Sequence, residues 1–424
     1  MQSKTILATL MATMAAGTAY ANEENNTQGL TVTPYLDATY ALLYSDKRYS
    51  PTVKEDHPLW HEMYAKYGVQ ASYGIGEHAI YGSLMGLSSA TLGDGDAGGY
   101  TTGDEHKTTL EEWVVGFKTQ EQGKKGSFDV SVGRQTAVIG DGFMLAGDAL
   151  NLGDGIDASL DRGGAYYLAA RRNFDFAAIA NYQPLDQLNT RWMYLQSDNK
   201  AQSEPELWAT DWTYQFDKAS LSATYLEVLD VNDPTSIRND LKNYGVRGQA
   251  QLTPQWQISG EYVHQDQKNN DEKAWHLTLG YTFDQLPAQP SLSYRFSQFS
   301  EGYDPLLYGN TGPFGTWFQG EVAGNYSGPF NTNANIHQVT LQASPRENVH
   351  VGMLAYQYDS IDNQLGQLDG HEVDLFTVWN PHEKVSVIPL VGFYKPKKDA
   401  SNGGNQIGGN STNTYAQLIL QYLY

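Results

Sequence analysis

The chain closes on YAQLILQYLY, residues 415–424, and that pattern limits what the rest can fold into. Ala416, Leu418, Leu420, Tyr422 and Tyr424 are apolar or amphipathic at every second position, with Gln417 and Gln421 among the residues between. Period-two alternation marks a strand with one apolar face. The pattern recurs along most of the chain. Tyr244, Val246, Gly248, Ala250 and Leu252 alternate with Asn243, Gly245, Arg247, Gln249 and Gln251. Trp275, Leu277, Leu279, Tyr281 and Phe283 alternate with His276, Thr278, Gly280 and Thr282. Stretches 31–44, 62–73, 174–182, 207–216, 219–229 and 255–265 behave alike, and helical periodicity is nearly absent. The fold class is all-β.

Two all-β architectures alternate in this way. A soluble sandwich buries its apolar face, whereas a membrane barrel turns that face to lipid and the polar one to a wet lumen. Barrel strands run about 10 residues, with aromatics near their ends. Tyr40 and Tyr44, Trp256 and Tyr262, Trp275, Tyr281 and Phe283, and Tyr422 and Tyr424 sit near strand ends. Such rings suit a membrane interface. The connections favour the barrel, because short periplasmic turns and long outside loops alternate. Long loops are expected at 45–61, 89–108, 136–163, 183–206, 230–242, 267–272, 300–333, 359–370 and 395–413. Short turns are expected at 74–76, 120–125, 172–173, 217–218, 253–254, 284–288, 345–348 and 380–383. The expectation is a transmembrane antiparallel up-and-down β-barrel of about 18 strands, within 16–20, both ends facing the periplasm. RWMYLQ (191–196) and TWFQGEVAG (316–324) are placed inside loops to keep this order. The terminal stripe is then the last strand, paired with the first so that no edge is left open.

Composition fits. The chain carries 42 glycines, 29 tyrosines and 9 tryptophans, yet only 40% hydrophobic residues, and shows no linker. Without cysteine it has neither disulfides nor thiolate metal ligands. A formal charge of −21 excludes the basic surface that nucleic acid requires. Lys4, the apolar run from Ile6 to Ala16 and Ala19-Tyr20-Ala21 read as a secretory signal peptide over residues 1–21. Residues 22–424 are then one outer-membrane barrel of a Gram-negative cell, expected to be monomeric with lipid around it.

An 18-stranded barrel is wide enough for an aqueous channel, so function is sought in the lumen and in loops folded into it. Parity places Lys66, Lys118, Arg247 and Arg295 on the wet face, with Asp37, Glu62, Glu112, Asp129, Asp175, Asp211, Glu261, Glu372 and Asp374. Loops, turns and strand ends add Arg134, Arg162, Arg171, Arg172 and Arg191. These charges either orient a polar solute or wet the lumen and pair with one another. GDGFMLAGDALNLGDGIDASLD, within loop 136–163, has three readings: an inward-folded constriction, a calcium loop, or a solvated outside loop. DGIDASLD matches no regular calcium spacing. His276 points inward without a telling partner, and GxSxG and HExxH are absent. A transport barrel is expected, not an enzyme, with no cofactor; the alternative from another class is an outer-membrane barrel hydrolase whose triad is assembled from distant residues.

Two regions carry a resemblance. VGRQTAVIGDGFMLAGD (132–148) resembles a glycine-arginine-glutamine segment of the alginate-export-type outer-membrane porins. The second half repeats their order of pieces: Tyr294-Arg295-Phe296, Asp304-Pro305-Leu306-Leu307-Tyr308, Trp317-Phe318-Gln319-Gly320-Glu321, an Asn-rich segment, and a strand closed by Pro345-Arg346-Glu347. The resemblance implies a monomeric 18-stranded pore for an anionic saccharide such as alginate, selected by inward arginines. Periplasmic export components would then feed it. It assigns Arg134 and Arg295 to carboxylate attraction, and Asp304 to orienting a loop arginine or binding sugar hydroxyls. The acidic lumen departs from that pattern, which leaves room for a general or neutral-oligosaccharide porin on the same barrel.

Overall fold

A computed structural model of the chain describes residues 29–233, 235–308 and 319–424. The expected signal peptide lies outside them. The strands are β1 (Leu30–Ser45), β2 (Leu59–Ile75), β3 (His78–Gly93), β4 (His106–Thr119), β5 (Phe128–Gln135), β6 (Val138–Ile139), β7 (Leu145–Ala146), β8 (Phe174–Leu185), β9 (Leu188–Gln196) and β10 (Glu206–Gln215). They continue as β11 (Ala219–Asp230), β12 (Lys242–Gln251), β13 (Trp256–Asp266), β14 (Asp271–Thr282), β15 (Ser291–Phe299), β16 (Ala334–Arg346), β17 (Val349–Ser360), β18 (Gly370–His382), β19 (Val385–Pro396) and β20 (Asn413–Leu423). Strands β6 and β7 form a small hairpin of their own, and the other eighteen form one sheet. Each of the eighteen pairs antiparallel with its neighbour round the wall. The sheet closes where β20 meets β1, from Asp37↔Leu423 to Ser45↔Tyr415. Backbone bonds of 3.3 and 2.8 Å join Leu36 to Tyr424. A closed sheet leaves no unpaired edge, which hydrocarbon would penalise by several kcal/mol per group.

Outside and inside are inverted relative to a soluble protein. Val115 and Leu84 are 57% and 54% exposed, whereas their strand neighbours Val114 and Met85 are 2% and 1% exposed. Such an apolar belt is stable only in lipid. At the short-turn end Trp256, Tyr281 and Phe283 make a chain of ring contacts at 4.8 and 4.6 Å. The Lys384 ammonium lies 3.8 Å from the ring of the final Tyr424. The buried core sits at the other end, inside the mouth. Ala41, Leu43, Trp60, Met193, Leu195, Leu207 and Ala209, all inward near the long loops, have no exposed surface.

The expected strand number is met through two departures that cancel. Segment 164–171 is not a strand, and Arg172-Asn173 is not a short turn. The loop after β5 runs on to residue 173, because Gly163, Gly164, Ala165 and Ala169 take left-handed conformations that no strand tolerates. Conversely, 183–206 is not one loop. Asp186-Gln187 turns the chain and RWMYLQ forms most of β9. Its alternation was hidden because both faces are apolar: Trp192 and Tyr194 face outward, while Met193 and Leu195 face the loop-filled mouth. Residues 319–324 do stay within their loop, while 316–318 lie outside the described residues.

Candidate functional site

Loop 136–173 enters the barrel mouth. Ala137 and Phe143 through Ala146 are at most 1% exposed. The β6–β7 hairpin pairs Val138 with Ala146 and Ile139 with Leu145. Its tip lies against the wall. The Phe143 ring is edge-on to His276 at 5.1 Å and 5.6 Å from Phe299. Gly245 leaves the space that Met144 fills, since a Cβ there would come within 2.7 Å of the Met144 Cε. Gly140 has φ +59°, and its Cβ would meet the Arg247 guanidinium at 2.7 Å. The sequence puts glycine at both close approaches.

Wall carboxylates hold the returning limb of this loop. Glu62 accepts from the backbone N–H of Tyr167 (3.2 Å) and Leu168 (3.0 Å), and from the Trp60 indole at 3.2 Å. Glu111 accepts from the N–H of Arg172 (3.1 Å) and Asn173 (3.2 Å) and pairs with Arg171 at 3.4 Å. Glu372 does the same for the second inward segment, 319–333, accepting from Val322 N–H (2.7 Å) and Ala323 N–H (2.9 Å). The Tyr358 hydroxyl donates to the Gln319 carbonyl at 2.6 Å. The two segments also bind each other. Tyr167 donates to Glu321 at 2.7 Å and Tyr166 to the Asn325 carbonyl at 3.0 Å, while Ala146 N–H reaches the Leu307 carbonyl, which follows β15, at 2.8 Å. Glu62, Glu111 and Glu372 thus satisfy loop amides that would otherwise be buried without partners.

Below the loops the wall is charged in register. Lys66 stands opposite Asp37, Lys118 opposite Asp129, Arg191 opposite Asp211, and Arg247 opposite Glu261. Directly opposed residues on one face are close enough to interact. Lys66 binds Glu112 at 2.6 Å, and the Lys118 ammonium lies 5.2 Å above the Tyr81 ring. Arg191 donates to the Val138 carbonyl of the inward hairpin at 2.7 Å. Arg247 lies 3.3 Å from Asp211 and 4.0 Å from Glu261. Arg295 differs, having Thr278 and Gln338 as its register neighbours and a 3.0 Å bond to the Thr278 hydroxyl. Asp141, on the hairpin tip, is the acid whose charge acts on Arg295.

The remaining sequence candidates lie elsewhere. Arg134 follows Val130 and Val132 on the outer face, while Ser131 and Gln135 turn inward. A bulge against β8 leaves Arg134 at the outer rim, not in the pore. There it joins an ion chain, binding Asp175 and, at 2.8 Å, Asp198. Arg162 continues the chain from Asp198 (3.1 Å) to Asp148 (3.3 Å). Burial pushes the Asp148 carboxyl up against the pull of Arg162. Burial also raises Asp198, yet Arg162 and Arg134 hold it below the usual carboxylate range. Arg171 is 3% exposed at the loop base, held by the Arg162 carbonyl (2.6 Å), and burial lowers its guanidinium despite Glu111. Asp304 grips Arg238 of loop 231–241 through two bonds of 2.7 and 2.9 Å, tying two loops together. Sequence reasoning passed over Glu111, Asp141, Asp198, Arg238 and Glu321. Four lie in loops, where parity says nothing, and Glu111 sits at a bulge between β3 and β4.

Among the described residues one group offers three ligand atoms within 4.8 Å: Asp141, Glu261 and His276. The charges of Arg247 and Arg295 both act on His276. Two guanidiniums beside two carboxylates make this an ion-pair cluster that seats the hairpin tip, and a poor cation site. In the DGIDASLD stretch Asp157 caps Ser159 N–H at 2.8 Å and Asp161 caps Gly163 N–H at 2.6 Å. Those carboxylates serve turns.

No family model matches the chain, and no curated protein does. Solved structures do. OccK8 (OprE) of Pseudomonas aeruginosa superposes with a TM-score of 0.61 at 10% identity, covering 93% of this chain and 98% of that one. OccK7 (OpdD) of the same organism gives 0.58 at 12% identity, covering 93% and 98%. OccAB2 of Acinetobacter baumannii gives 0.58 at 10%, covering 92% and 98%. At such identities the likeness concerns the fold. The closed barrel and its apolar belt make this a protein of the Gram-negative outer membrane.

Proposed function

We propose that the chain is a passive outer-membrane porin, working as a single barrel, for short hydrophilic solutes, acidic saccharides among them. The observation that carries this is the lumen itself: a closed 18-stranded wall lined by opposed charges, narrowed by two inward segments. Such a wall wets the pore and offers a dipolar solute bonds of both signs without a deep well. The finer reading, an oligouronate of the alginate type, rests on the quoted sequence pieces and on Arg295, a lumen-facing wall cation beside Asp141 of the hairpin tip. The acids that stand in register with Lys66, Lys118, Arg191 and Arg247 work against a long polyanion.

Planar-bilayer conductance under a salt gradient tests both levels. Discrete channels with weak ion preference are expected, blocked by short oligouronates and relieved in Arg295→Ala. Channels blocked equally by neutral maltodextrins would remove the uronate reading and leave the porin. A folded barrel that never conducts would remove the porin.

A further inference from the structure

We propose that segment 319–327 is a proton latch: Glu321, Glu372 and Asp374 hold it in the mouth while they share protons, and let it go when Glu321 loses its own. The inference rests on the porin reading only for its electrical readout.

The three carboxyls are 2%, 1% and 0% exposed. Glu321 comes from the inward segment, and Glu372 and Asp374 from the inner face of β18. Glu372 and Asp374 lie within hydrogen-bonding reach of each other, and Glu321 lies within range of both. What faces them is phenolic or amide. Tyr356 and Tyr358 come from β17, Tyr394 from β19 and Tyr415 from β20. Tyr167 from loop 136–173 donates to Glu321 and receives Gln417 Nε2 at 2.7 Å. Glu62 of β2 adds another negative charge, acting on Tyr326 and Tyr415. The cation in range, Arg295, acts on Tyr356. Among the described residues none of the three carboxylates is in an ion pair. Carboxyls so close, out of water and without a counter-charge, must keep a proton among them.

The same cluster holds the segment. Glu372 binds the amides of Val322 and Ala323, Tyr358 binds the Gln319 carbonyl, and Tyr167 binds Glu321 itself. Burial, and then the charge of Glu372, raise the Glu321 carboxyl to about 7 against the Tyr167 bond. A carboxyl raised on docking stabilises the docked state at low pH, and that contribution fades as pH rises through about 7. The mouth therefore holds its segment in acid and loosens it in mild alkali.

The test uses full-length protein in lipid. Many-channel conductance read from pH 5 to 9 is expected to step upward near neutrality. Glu321→Gln, which keeps the bond to Tyr167 without the charge, is expected to hold the low level throughout. A step of equal size in Glu321→Gln, or none in conducting wild type, overturns the latch. Hydrogen exchange at the Val322 and Ala323 amides answers even if nothing conducts. Corrected for base catalysis, protection should fall, by at most about tenfold per pH unit, as pH rises from the ordinary carboxyl range to about 7, and level off beyond it. Unchanged protection from pH 5 to 9 overturns the latch and leaves the porin reading untouched.

Discussion

At the scale of the residue, burial decides what a charge does here. Glu111 is buried against a buried Arg171 and carries two loop amides besides. Glu111→Ala should cost about 3–5 kcal/mol, the usual penalty for stranding a buried charge. Glu111→Gln should cost less, because it keeps an acceptor. Urea unfolding from lipid vesicles, followed by tryptophan fluorescence, measures both. Parity along a strand told which side chains face the lumen, and Lys66, Lys118, Arg247 and Arg295 do so. It could not tell which acid each would meet, because register is a property of two strands. It failed at Glu111, where a bulge breaks the alternation on which it depends, whereas Arg134 keeps the outward parity of Val130 and Val132, against the inward role that the resemblance implies.

At the scale of the element, most strands were legible from period two alone, and the two exceptions have different causes. Where a strand passes beneath an inward loop, its lumen face becomes apolar. RWMYLQ then reads as a featureless greasy run, whereas the stretch before Arg171 has a strand-like pattern and is turned out of any strand by the left-handed Ala165 and Ala169. The inward fold of loop 136–173 was one of three readings, and only its contacts across the barrel settle it. Its hairpin depends on Gly140, left-handed and pressed on Arg247. Gly140→Ala should destabilise the docked tip by about 1–2 kcal/mol, the cost of a left-handed non-glycine residue. Single-channel recordings should show larger, noisier currents from this variant, and recordings identical to wild type would count against a docked tip.

At the scale of the whole molecule, closure is the organising fact. A sheet whose last strand bonds to its first has no end from which to unravel, so boiling, not detergent alone, should shift its band on a denaturing gel. A band that runs alike before and after heating would contradict the closed barrel. The buried apolar ring inside the mouth has a further consequence. Leu43, Trp60, Met193, Leu195 and Leu207 are dry because loops cover them. Cutting away loop 136–173 would not open a wide wet hole. It would leave an apolar collar in which Glu62 and Glu111, stripped of the loop amides they now hold, form a negative ring that favours cations.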